Sequence, residues 1–122
     1  MAAMKGRELR VEARISVKEK ASLRGGELVA AATADDGWFP CVVQDMSDTG
    51  FLILSSKEVA VGQILELRCQ LFPEKTLNCK IQVRHVSHKG MGTKVVEIDS
   101  RGSRLIELYL EEQYSLKLNS KT

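Results

Sequence analysis

Residues that would point to a familiar chemistry are scarce in this chain of 122 residues. Aromatic residues make up only 5%, too few for a row that stacks single-stranded RNA, and we interpret Trp38 as a barrel-edge aromatic. The three cysteines, Cys41, Cys69 and Cys79, include no CxxC pair, so neither a disulfide framework nor a zinc site is predicted. The net charge of +2 is too small to indicate duplex DNA or an anionic membrane as a bulk partner.

Long apolar runs and catalytic motifs are also missing. The longest apolar stretch is far too short to span a bilayer, and no such stretch follows the charged start, so we predict neither membrane insertion nor a secretory signal. Unpaired cysteines then favour the reducing cytoplasm. No Walker loop, GxGxxG or Ser-His-Asp order is visible, so no enzyme is predicted. His85 and His88 lack a third ligand in register, and we interpret them as surface residues.

What the chain does contain is alternation of apolar and polar residues, which is typical of antiparallel strands with one wet face. A first strand over 15–23 would place Ile15, Val17 and Ala21 on one face. A weaker candidate covers 27–33, where three consecutive alanines lower the strand propensity. The clearer strands cover 39–44, 51–54, 65–71, 77–83 and 93–98, with turns at 72–75 and at Lys89, Gly90 and Gly92.

The pattern changes near the end of the chain to a helical period that starts at Ser103 and includes Leu105, Leu108, Tyr109 and Leu116. The candidate caps are Asp99, Ser100 and Ser103. Many short strands and one helix predict a mainly β fold, a six- to seven-stranded antiparallel β-barrel with one C-terminal α-helix. The predicted parts are a basic flexible N-terminal arm at 1–14, the barrel with its helix at 15–118, and a frayed tail at 119–122.

Residues 45–50 read D-x-S-x-x-G at the point where one strand turns back into the next. Asp45 and Ser47 are two apart, so on a strand both side chains would leave the same face. Gly50 permits a positive φ and a close approach of the backbone to a ligand. A carboxylate accepts from the N1 and N2 donors of guanine, and a hydroxyl serves a phosphate or a base. The structural alternative is a turn in which Asp and Ser bond their own backbone.

Upstream of this motif, Arg10 and Arg14 form an R-x-x-x-R. Guanidinium groups bind phosphate bidentately, pair with guanine O6 and N7, and stack on purines. The structural alternative is a solvated basic arm. Basic residues crowd this region, and they are Lys5, Arg7, Arg10, Arg14, Lys18, Lys20 and Arg24.

The order of these features resembles the PilZ domain family over nearly the whole chain: R-x-x-x-R, a strand, D-x-S-x-x-G, alternating strands and a terminal helix. The resemblance implies a non-catalytic barrel without a cofactor that binds cyclic di-GMP. It also implies that Arg10 and Arg14 hold phosphate and guanine, while Asp45, Ser47 and Gly50 form the barrel side of the site.

One departure from the family pattern is a longer gap than usual between the two motifs. Lys20 and Arg24 have nearly the usual gap, with lysine first, and Arg14 with Lys18 is a third frame. Lysine lacks the planar fork and stacks poorly, so we prefer Arg10 and Arg14. If that frame is wrong, the chain resembles family members that have lost the nucleotide and act as protein adaptors.

The ligand number and the output are also implied by the resemblance. Leu9, just before the first arginine, can neither stack on guanine nor neutralise phosphate, so one cyclic di-GMP per chain is predicted rather than an intercalated pair. The implied function is a cytoplasmic receptor whose basic arm becomes ordered on ligand binding. The ordered arm would offer a new surface to an effector protein, not to DNA or RNA, in processes such as motility or biofilm formation.

Overall fold

The computed structural model describes residues 14–25 and 37–120, and within them six strands form a closed antiparallel barrel in the order β1-β2-β3-β6-β5-β4. Closure pairs every strand on both sides, so the sheet has no free edge. The six-stranded prediction is confirmed, and the candidate strand at 27–33 lies outside the described residues. The elements are β1 Ile15–Arg24, β2 Phe39–Met46, β3 Gly50–Leu54, β4 Ile64–Phe72, β5 Lys75–Ser87, β6 Gly90–Glu97 and a helix, α1, Ser100–Ser120.

The barrel interior is filled by the apolar members of the alternating pattern. On β1, Ile15 is buried and Val17 and Ala21 pack against the core, as their shared face predicted. Each large apolar side chain removed from water contributes about 1.5–3 kcal/mol. Between β4 and β5 the buried partners are Leu65 with Ile81, Leu67 with Cys79, and Cys69 with Leu77.

The ladder is irregular at one level of β1 and β2. The register shifts between Val43 and Asp45 on β2, and between Ser16 and Glu19 on β1, where Lys18 has a φ of 54°. Bulges of this kind bend a strand and re-aim its side chains, and a left-handed conformation at a non-glycine residue costs about 1–2 kcal/mol. Both shifts flank Asp45, so the first residue of the D-x-S-x-x-G motif lies in a locally distorted part of the sheet.

The helix begins three residues before the apolar period predicted. Asp99 is the cap, since its Oδ1 accepts a hydrogen bond from the amide of Gly102 at 2.7 Å. Helix α1 packs chiefly on β5, β1 and β4, and the hydroxyl of Tyr109 donates to Glu19 of β1. In the described part of the chain no helix is both long and apolar enough to cross a bilayer. The side chains of α1 buried against the barrel are Leu105, Ile106, Tyr109 and Leu110.

Candidate functional site

The hairpin of the D-x-S-x-x-G motif is held by Ser47. Strand β2 ends at Met46, and the buried hydroxyl of Ser47 accepts from the amides of Thr49 at 3.3 Å and Gly50 at 3.2 Å. The backbone amide of Ser47 donates to the carbonyl of Gly50 at 3.0 Å. The prediction that Asp45 and Ser47 leave one face together is wrong for Ser47, because its hydroxyl is directed into its own turn. Ser47 therefore has the turn-forming role of the structural alternative, whether or not it also contacts a ligand.

Gly50 is required by strand packing rather than by an unusual φ. A Cβ added here would lie 2.1 Å from the carbonyl oxygen of Thr93 on β6. This distance is too short for any side chain, so only glycine fits at position 50. The Thr93 hydroxyl also donates to the carbonyl of Phe51 at 2.9 Å, so β3 and β6 are tightly joined at this level. Gly50 does not adopt the positive φ that a glycine permits, since among the described residues the glycines with positive φ are Gly25, Gly37, Gly62 and Gly90.

Asp45 lies on the outer face of the barrel. The next residue, Met46, is 1% exposed and pairs with the buried Ile15 and Phe51, so Asp45 points the other way. Directly paired residues share a face of the sheet, and successive pairs carry this face across the barrel. The resulting row, called here the Asp45 row, consists of Ser16, Asp45, Leu52, Gly92 and His85.

A groove of about 640 Å³, called here the Lys20 groove, lies beside the Asp45 row. On β3, β6 and β5 its residues stand two positions beyond the row, a step of about 7 Å along a strand. It combines one ammonium group, one imidazole and several hydroxyls, a donor set suited to phosphate. Its lining includes Lys20, Val42, Leu54, Ser55, Ser87 and His88.

Arg14 lies at the same end of β1 as the motif hairpin. It is exposed and immediately precedes Ile15, which pairs with Met46, so the register places it opposite Ser47. In this hairpin Asp48 Oδ1 is buried and has no hydrogen-bond partner among the described residues. An ordered water, a guanidinium or a ligand donor can satisfy a buried acceptor of this kind. Arg10 and Leu9 lie outside the described residues.

Arg24 lies at the opposite end of β1. It is eight residues beyond Ser16, a separation of about 26 Å along the strand. Its guanidinium pairs with Glu66 at 3.0 Å and lies 4.5 Å from the ring centroid of Trp38, which Arg68 approaches at 4.0 Å. The Lys20–Arg24 frame is therefore divided, with Lys20 in the groove and Arg24 in a separate cluster.

The three cysteines lie in the barrel core. Cys41, Cys69 and Cys79 are buried, and this burial raises the pKa of each thiol to about 12. Across residues 14–25 and 37–120 no three Cys, His, Asp or Glu side chains are grouped to hold a metal.

Sequence reasoning missed the place of His85 in the Asp45 row. It also assigned Gly92 to a turn, which is wrong, because Gly92 lies within β6 and pairs with His85. A glycine interrupting a strand pattern often marks a close approach of another group, and that signal could have indicated this site.

Comparison with known proteins identifies the fold and the family. The PilZ domain family profile matches residues 7–112. The solved structures similar to this chain include the Bacillus subtilis inhibitor of motility MotI/DgrA, at TM-score 0.63 and 14% identity over 84% of this chain and 49% of that one. This chain thus spans about half the length of that protein.

A second similar structure is the PilZ domain of CeSA from a cellulose-synthesizing bacterium, at TM-score 0.60 and 8% identity over 87% of this chain and 99% of that one. No curated protein sequence matched. Family profile, barrel topology and terminal helix agree, and this chain belongs to the PilZ domain family.

Proposed function

We propose that this chain is a non-catalytic receptor for cyclic di-GMP, and that the ligand lies on the outer face formed by the Asp45 row and the Lys20 groove. The observation that carries the proposal is the strand register. It brings Arg14, the motif hairpin and Asp45 to one end of β1, as the preferred arginine frame requires.

The side chains at this face have complementary roles. The Asp45 carboxylate accepts from the N1 and N2 donors of a guanine, and Arg10 and Arg14 bind phosphate and guanine from the arm. Ser47 closes the hairpin through its hydrogen bond to Gly50, and Gly50 lets β3 pack closely against β6. Together they fix the position of Asp45 on the outer face. Lys20 contributes a point charge toward a phosphate in the groove.

The output is a changed surface offered to an effector protein in the bacterial cytoplasm. Residues 1–14 act as a basic arm that the dianionic ligand orders against the domain of 15–118. The similarity to an inhibitor of motility makes control of motility one candidate output, beside biofilm formation.

A second candidate is an adaptor of the same fold that binds no nucleotide. One observation favours it: the hydroxyl of Ser47 is used by the hairpin, and Gly50 is required by its contact with Thr93. Two of the three motif residues thus have structural reasons to be present. Only a ligand titration separates the two candidates.

The decisive experiment is calorimetric titration of the full chain with cyclic di-GMP. We expect a dissociation constant in the micromolar range or tighter, worth about 8 kcal/mol or more. Arg14→Ala and Asp45→Ala each remove a charge-assisted contact, so affinity should fall by about 1.5–3 kcal/mol. Arg24→Ala is the matched control and should bind as the wild type does.

Three results would change the proposal. A wild-type chain without measurable binding supports the adaptor. Loss of binding in Arg24→Ala with retention in Arg14→Ala supports the later arginine frame. Stoichiometry should be close to one, with Leu9→Arg moving it toward two, and a wild-type value of two would contradict the ligand number.

A further inference from the structure

Trp38, which immediately precedes β2, lies under two guanidinium groups. The guanidinium carbon of Arg68 is 4.0 Å from the centroid of the indole ring, and that of Arg24 is 4.5 Å from it. Arg24 is also paired with Glu66, whereas Arg68 is exposed and has no hydrogen bond or ion pair in the described part of the chain. The indole therefore holds the Arg68 guanidinium in place while its N–H edge remains open to another group.

These side chains border a groove on the outer face of β4 and β5. The part beside Trp38 measures about 250 Å³, and it adjoins a part of about 690 Å³ at the start of α1, because Asn78 and Asp99 line both. Along β5 the groove extends from Lys75 to Lys80, about 17 Å. We call this surface the Trp38 groove, and its lining includes Trp38, Lys75, Asn78, Lys80, Asp99 and Arg101.

The negative charges of the Trp38 groove are largely satisfied within the domain. Three carboxylates have a partner there, in the contacts of Glu66 with Arg24 at 3.0 Å, of Glu97 with Lys80 at 3.8 Å, and of Asp99 with the amide of Gly102 at 2.7 Å. Glu74 is exposed and has no such partner among residues 14–25 and 37–120.

The positive charges are less well satisfied. Three exposed cations in or beside the groove have no hydrogen bond or ion pair within the part of the chain that the structure describes, and they are Arg68, Lys75 and Arg101. Three such cations against one such carboxylate leave the groove with an excess of unpaired donors. A partner that carries several carboxylates complements this surface.

We propose that the Trp38 groove is the docking surface for the effector protein and takes an extended, acidic segment of it. One carboxylate of the segment binds the N–H edge of Arg68 bidentately, and others lie near Lys75 and Arg101. Tryptophan and arginine are also the residues most enriched at the energetic centres of protein interfaces. The docking surface rests on the proposed function only in requiring an effector protein, and it serves the receptor and the adaptor equally.

The geometry favours a peptide held by its side chains. The two guanidinium groups over the indole leave less of its π-face for stacking a nucleotide base. Strands β4 and β5 are each paired on both sides, so the segment cannot join the sheet as a further strand. The groove length of about 17 Å matches five extended residues. Arg24 lies about 26 Å from Ser16 along β1, so the nucleotide and the effector can bind at the same time.

Titration of the full chain with the synthetic peptide hexaglutamate tests this docking at low ionic strength. Saturating cyclic di-GMP is present, so that Arg10 and Arg14 of the arm are occupied. Calorimetry measures the affinity, and the emission of Trp38, the single tryptophan of the chain, reports contact at this surface. Both signals should change over the same range of peptide concentration, and neutral hexaglutamine should change neither.

Substitutions of Arg68 give a second test. Arg68→Ala should weaken hexaglutamate binding about fivefold, the upper range for one exposed ion pair. Arg68→Lys keeps the charge without the planar fork and should recover only part of this loss. Arg84→Ala removes an exposed arginine about 20 Å from Asn78 along β5, and this matched control should bind as the wild type does.

The outcomes separate the docking surface from the proposed function. Calorimetric binding without a change in Trp38 emission would put the peptide elsewhere and overturn the inference. Equal binding of hexaglutamine, or unchanged affinity in Arg68→Ala, would overturn it too. A chain that fails to bind cyclic di-GMP but still binds hexaglutamate at Trp38 would contradict the receptor and support the docking surface.

Discussion

Replacing Ser47 by alanine removes the hydroxyl that accepts two amide hydrogen bonds in the motif hairpin. Ser47 is 5% exposed, so water cannot take the place of this hydroxyl. The amide of Thr49 lies on the exposed side of the turn and can be hydrated, whereas the buried amide of Gly50 loses its side-chain acceptor. An unsatisfied buried donor costs about 1–3 kcal/mol. Because the backbone hydrogen bond from Ser47 to Gly50 remains and still holds the hairpin, we expect the free energy of unfolding to fall by about 1–2 kcal/mol.

Thermal unfolding followed by circular dichroism measures this loss. For a domain of this size the melting temperature should fall by roughly 3–10 °C. Asp45→Ala is the control, because Asp45 lies on the outer face, and its unfolding free energy should change by less than about 0.5 kcal/mol. If Ser47→Ala melts within about 1 °C of the wild type while Asp45→Ala melts well below it, the Ser47 hydroxyl does not stabilise the hairpin.

Three further predictions concern residues at other levels of the barrel. Gly50→Ala forces a Cβ against the carbonyl of Thr93, so the free energy of unfolding measured in urea should fall by about 3 kcal/mol or more. A variant as stable as the wild type would contradict the close contact. Arg24→Ala breaks a partly exposed ion pair and should cost less than about 1 kcal/mol by urea unfolding; a larger loss would show that its contact with Trp38 matters more. The three cysteines, whose buried thiols have pKa values raised to about 12, should react with Ellman's reagent at neutral pH only after urea unfolds the chain; rapid reaction of the folded protein would place a thiol at the surface.

Much of the fold follows from the sequence because one face of each strand is wet. In β4 and β5 the apolar residues of the alternating pattern face the barrel interior, and the polar residues between them face outward. The apolar period predicts the start of α1 at Ser103, three residues too late, because residues 100–102 contribute nothing to that period. The helix is capped by Asp99. A cap is a local hydrogen bond that periodicity does not detect.

The site was predicted less completely, for a geometric reason. Spacing along one chain suggested the D-x-S-x-x-G motif, but it could not show that Ser47 turns its hydroxyl into the hairpin. The approach of His85 to Gly92 depends on which residues pair across β5 and β6, and the register shift beside His85 sets that pairing. Such shifts leave no regular trace in the sequence.

Hydrogen–deuterium exchange of the full chain, with and without saturating cyclic di-GMP, tests most directly the claim that the ligand lies on the Asp45 row and the Lys20 groove. Slower exchange is expected over residues 10–20, in the hairpin and β3 at 45–54, and at 85–92, with little change in α1. Unaltered exchange everywhere, or protection centred on Arg24 and Trp38, would contradict the proposed site.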